Sequence, residues 1–111
     1  MVKFMSEKIS YDDVKQYEHL FSLVPSFMLE RMAKKNRNLV DKFKSKIQPR
    51  LESLSDNQRN KYEMILNSDV DELQSIMAEA YEKTDKKQYK ILANPEYRKF
   101  IETNIEELKK L

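Results

Sequence analysis

The chain has 111 residues, with 21 Lys plus Arg against 19 Asp plus Glu, a net charge of +2, three prolines, no cysteine and no glycine. At the usual ~7% glycine, about eight would be expected. Their absence removes the residue that supplies positive φ in primed hairpin turns, bulges and phosphate-cradling loops, so a hairpin-rich sheet, a P-loop and a dinucleotide fingerprint are poorly supported or excluded.

The elements follow in chain order. Residues 1–9 read as an N-terminal segment, extended or disordered, and 10–111 as one helical domain. Ser10 and Asp13 have the spacing of a capping box, and Asp12 and Asp13 suit the positive first turn of a helix. Val14, Tyr17, Leu20, Phe21 and Val24 recur at helical spacing up to Pro25, which stops the helix. Ser26 can cap a longer helix with Leu29, Met32, Leu39, Val40, Phe43 and Ile47 on its apolar face and Asn36 beside them. Pro49 ends or kinks it, and a short helical turn around 50–54 is expected next.

Ser55 and Gln58 form a second capping box, opening a helix with Tyr62, Ile65 and Leu66 and closing at Asn67. Ser68 and Asp71 open the following helix, whose inner face carries Val70, Leu73, Ile76, Met77, Ala80 and Tyr81. Thr84-Asp85 interrupts it, and a shorter piece with Tyr89, Ile91 and Leu92 spans 86–93. Asn94-Pro95-Glu96 is a cap, an N1 proline and a first-turn acid in order, ahead of a last helix with Tyr97, Phe100, Ile101, Ile105, Leu108 and Leu111. The fold class is therefore all-α, a bundle of about five or six amphipathic helices, orthogonal or up-down.

The sequence favours a non-enzymatic protein. His19 is the only histidine, so an imidazole-based metal site or a Ser-His-Asp arrangement lacks partners. Glu79 with Glu82 and Glu102 with Glu106 share helix faces, the usual arrangement of a solvated charged surface. Asp69, Asp71 and Glu72 do not match a calcium loop, which needs an internal glycine. No cofactor, metal or small-molecule substrate is evident. A cysteine-free chain without a signal-peptide core in Met1–Glu7, and without an apolar run of ~18–20 residues, is expected to be cytoplasmic and not membrane-bound.

Charge is segregated. Residues 31–50 carry eight positive charges and one negative, a net of +7; residues 52–82 sum to −6, and residues 83–100 return to +4. On a continuous helix at about 100° per residue, Arg31, Lys35, Asn38, Lys42 and Lys46 fall in a strip about 80° wide, able to track phosphates. The competing readings are a solvated face, or pairing with the acidic block inside the fold.

Two helices meeting at Asn67-Ser68 also invite a helix-turn-helix test. A reading helix over 69–83 would bring five acids and one lysine to DNA, the wrong sign; the piece after Thr84 would bring Lys86, Lys87, Gln88 and Lys90. Phe27 and Met28 lie at the edge of the apolar strip and are candidates for an apolar interface, although the N-terminal segment with Phe4 and Ile9 is expected to cover Phe27. These features point to a protein-interaction module, an adaptor, regulator or subunit, with a protein partner or self-association. Nucleic-acid binding through Arg31, Lys35, Lys42, Lys46, Lys86, Lys87 and Lys90 is the alternative.

Overall fold

Two of the expected helices are broken by residues whose side chains the core or the chain reversal demands. The computed structural model describes residues 9–111, the Phe21 side chain apart; Phe4 lies outside them. Among the described residues there are eight α-helices and no strand: α1 Tyr11–Lys15, α2 Glu18–Phe21, α3 Ser26–Lys34, α4 Leu39–Glu52, α5 Asp56–Leu66, α6 Val70–Thr84, α7 Lys87–Ala93 and α8 Arg98–Lys109, with a 3-10 turn over Pro95–Tyr97 before α8. The excess over the expected number comes from the two splits.

The first split is at Tyr17, whose φ of −108° and ψ of 15° separate α1 from α2. The bend accompanies near-complete burial of Val14 and Tyr17, at 0% and 2% exposure. The second split overturns the long helix drawn from Ser26 to Ile47. Asn36 has φ 53°, in the left-handed region. Its N–H bonds the Ala33 carbonyl and the Arg37 N–H bonds the Met32 carbonyl, the two bonds of a Schellman motif with asparagine where glycine is usual. Asn38 then caps α4, its Oδ1 accepting from the Asp41 N–H at 2.9 Å. Pro49, expected to end or kink the helix, lies inside α4; the departure from helical geometry is upstream at Phe43, with φ −108° and ψ 17°.

Elsewhere the local signals act where expected. Ser55 and Gln58 close their capping box, and Asp85 ends α6 in the left-handed region at φ 59°. Asn94 Oδ1 accepts from the Glu96 N–H at 2.9 Å, opening the turn that leads into α8. The cap of α6 is Asp69, which accepts from Asp71 N–H, and not Ser68, whose hydroxyl donates back to the Met64 carbonyl at 2.8 Å.

The apolar stripes meet in one core. α6 lies along α7, α3 rests on α7, α1 on α6, and α8 runs against α4, α5 and α6. Ile9 is buried at 6% exposure and belongs to this core. The radius of gyration, 13.6 Å, matches the ~13 Å of a single compact unit of this length. No helix among the described residues is long and apolar enough to cross a membrane.

Helix C-termini leave carbonyls without intrahelical donors, and glycine commonly helps to satisfy them. Side chains do this work here. Asn67 donates to the Glu63 carbonyl, Thr84 to Ala80, Arg50 to His19 and Arg59 to Leu51. Two buried amides bond backbone groups of other elements. Gln74 of α6 donates to the carbonyls of Leu92 and Asn94, at 3.1 and 2.8 Å. Asn104 of α8 accepts from the N–H groups of Leu39 and Val40 at 2.7 and 3.2 Å and donates to the carbonyls of Arg37 and Phe100 at 3.0 and 2.8 Å. It thereby ties the α3–α4 reversal to the last helix.

Glu18 clasps α2 to the start of α7. Its Oε1 lies 2.9 Å from Lys86 Nζ and its Oε2 accepts from the Tyr89 hydroxyl at 3.0 Å. The hydrogen bond from Lys86 is the main reason its carboxyl titrates below the ordinary glutamate range, while partial burial works the other way. A depressed folded-state pKa contributes stability that is present above the ordinary glutamate value and lost as pH falls through the folded value. Glu18→Gln is therefore expected to cost about 1 kcal/mol at neutral pH, a figure held down by the half-exposed lysine. Urea midpoints of the two proteins should converge in acid; a constant gap down to the lowest pH would assign the loss to packing.

Candidate functional site

The basic residues of the 31–46 stretch are distributed over α3, its C-terminal reversal and α4. Arg31, Lys34, Lys35, Arg37, Lys42, Lys44 and Lys46 are all exposed. None of their side chains makes an ion pair or hydrogen bond with a described residue, and no ion pair joins this block to residues 52–82. Intramolecular neutralisation by the acidic block is thus not how these charges are used. The pairs that do form among the described residues lie elsewhere: Asp13–Lys61, Glu18–Lys86, Glu79–Lys83, Asp71 and Glu102 with Arg98, Glu106–Lys109 and Glu107–Lys110.

The break at Asn36 revises the geometry of the strip. Arg31 lies on α3, which packs on α7, and Lys35 is its C-cap; Lys42 and Lys46 lie on α4, which packs on α8. Asn38, expected among the cations as a strip member, is spent on the α4 cap. The cations therefore occupy two helices joined by a reversal, and the straight row drawn on one continuous helix does not exist.

The second basic group is largely engaged. Lys86 is held by Glu18, Lys90 sits over the Tyr81 ring at 5.9 Å, and Gln88 donates to the Val24 carbonyl, leaving exposed Lys87. Three of the four side chains proposed to face a duplex thus have intramolecular roles. Phe27, expected to be covered, is 63% exposed and lies one turn before Arg31 on the outer face of α3, whereas Met28 is half-buried and packs against the core.

His19 is exposed on α2. Three of the four carboxylates paired in the sequence are tied to neighbouring cations: Glu79 to Lys83 at 3.2 Å, Glu102 to Arg98 at 3.1 Å and Glu106 to Lys109 at 3.4 Å. Among the described residues no group of three or more His, Cys, Asp or Glu is placed to hold a metal ion.

Between the helices lies what the sequence did not reveal, an apolar pocket of about 150 Å³ that is partly open to the surface. Tyr62 lines it, and its hydroxyl is buried without a hydrogen-bond partner. Burial pushes that phenol up to about 12, against a smaller opposing pull from Arg59. Tyr62 reads in the sequence as one more apolar position on α5; a hydroxyl's lack of a partner has no local signature.

No family model, curated protein or solved structure matches the chain.

Proposed function

We propose that the protein is a non-enzymatic, cytoplasmic helical interaction module, an adaptor, regulator or subunit, whose α3–α4 face receives the acidic surface of a protein partner. Exposed cations on 31–46 without partners among the described residues carry this reading. Unpaired charge of one sign steers an oppositely charged partner and adds to on-rate. Exposed Phe27 beside Arg31 adds the aromatic and arginine anchors that protein interfaces favour. Purification under native conditions is expected to return one stoichiometric acidic partner. The double reversal Lys35→Glu with Lys42→Glu should slow its association about tenfold or more at low salt. Because both side chains are exposed and have no ion pair with a described residue, the same variant should shift stability by less than about 0.5 kcal/mol. Absence of any stoichiometric partner would count against the module.

The eight-to-one charge ratio of residues 31–50 favours a second reading, nucleic-acid binding through phosphates. The interruption at Asn36 argues against a regular phosphate-tracking row. Titration into single-stranded RNA and duplex DNA at about 50 and 200 mM salt separates the two, since phosphate contacts lose most affinity over that range. Tight binding that collapses at the higher salt would make nucleic acid the partner; no binding at either salt leaves the protein interface.

A further inference from the structure

We propose that the apolar pocket between the helices receives the Phe27 ring of a second copy of this chain. The inference rests on the reading of α3 and α4 as a protein-binding surface, and it names the partner.

Phe27 is 63% exposed, the one large apolar side chain so placed among the described residues. It opens the outer side of α3, with exposed Glu30 and Arg31 one turn on and Lys34 a turn beyond. The pocket measures about 150 Å³ and is partly open to the surface. Its lining runs from buried Met77 and Ile101 to half-buried Leu20, Leu39, Leu92 and Leu108. An apolar space of this volume takes a benzene molecule, the ring that phenylalanine carries. Water against such a wall has few hydrogen bonds to lose, so an apolar group that displaces it gains affinity. Phe27 is not part of the lining. Ring and pocket are therefore separate features of one chain, and a second copy brings them together.

Charge points the same way. The exposed cations of 31–46 make no ion pair with a described residue. Glu52, Asp56, Glu63 and Glu82, in the stretch of net charge −6, are likewise exposed and without an ion pair to a described residue. A second copy thus supplies the acid that the cations call for, and unlike charge speeds encounter. Because ring and pocket differ, the contact is head-to-tail. One ring in one pocket makes a small interface, so association is weak and rises with concentration.

The test follows the full chain by sedimentation and by the methyl resonances of Ile65, Leu73 and Met77, all in the lining. As wild type approaches about 1 mM, where weak contacts fill, mass should grow and these methyls should shift in the ring current of the arriving phenyl. Phe27→Ser changes an exposed position at constant charge and keeps the pocket. It should associate at least about tenfold more weakly. Unlabelled wild type added to labelled Phe27→Ser should restore the methyl shifts, whereas unlabelled Phe27→Ser should not. Benzene should move the same methyls and lower the mass of wild type by occupying the pocket. Association that Phe27→Ser leaves unchanged would overturn the role of the ring. Wild type that stays monomeric with unmoved methyls would overturn the second copy as partner. In that event, capture of another acidic protein, weakened by Lys35→Glu with Lys42→Glu, would leave the reading of α3 and α4 standing.

Discussion

Asn104→Ala is expected to lower the stability of the fold by about 3 kcal/mol, because it strands the N–H groups of Leu39 and Val40 and the carbonyl of Arg37 at once. Asn104 is only 9% exposed, so solvent replaces its bonds poorly. The loss is large against the 5–15 kcal/mol of a typical domain. It should lower the urea midpoint with the slope unchanged. Asn104→Leu should recover little, since apolar volume does nothing for three unmet backbone groups. A loss below about 1 kcal/mol for both variants would show that the α3–α4 reversal is held by Asn36 and Asn38 alone.

Gln74→Glu is expected to cost about 3–5 kcal/mol at neutral pH, the range for a buried charge left without a partner. Gln74 is 7% exposed, and its Nε2 faces two carbonyl oxygens, of Leu92 and Asn94. A carboxylate there would set like partial charges against each other. Burial and the two oxygens would raise the folded-state pKa of the new acid above its unfolded value. The penalty should therefore grow as pH rises past the ordinary glutamate range and shrink in acid, where a protonated carboxyl donates one of the two bonds. Stability of this variant against pH should slope opposite to the Glu18 contribution. A penalty independent of pH would mean that the position tolerates a charge by opening to water.

These two amides show where sequence reading stopped. The α8 pattern was legible through Phe100, Ile101, Ile105 and Leu108, yet Asn104 stands among them on the buried face. Gln74 likewise sits beside Leu73 on the inner side of α6. Periodicity sorts residues by hydropathy and cannot know that an amide faces the unsatisfied ends of a distant helix. Asn36 was more accessible to argument: in a chain without glycine, asparagine is a natural occupant of a left-handed C-terminal position. The same logic, applied to Asn67, met a side-chain bond to Glu63 and a φ of −95°.

The candidate surface divides in the same way. Segregation of charge between residues 31–50 and 52–82 is a property of the chain itself. That the first block has no ion partner among the described residues, and that Lys86 has one in Glu18, depends on which helices pack together.

Determined by sequence alone were the helical class, the capping box at Ser55 and Gln58, the stop at Asp85, the Asn94-Pro95-Glu96 start and most of the core, because these depend on bonds and spacings within a few residues. Tertiary structure decided the breaks at Tyr17 and Asn36, the partners of Asn104, Gln74 and Glu18, the apolar pocket lined by Tyr62 and the exposure of the basic residues. Each depends on groups far apart in the chain, and local chemistry carries no information about which distant group will arrive.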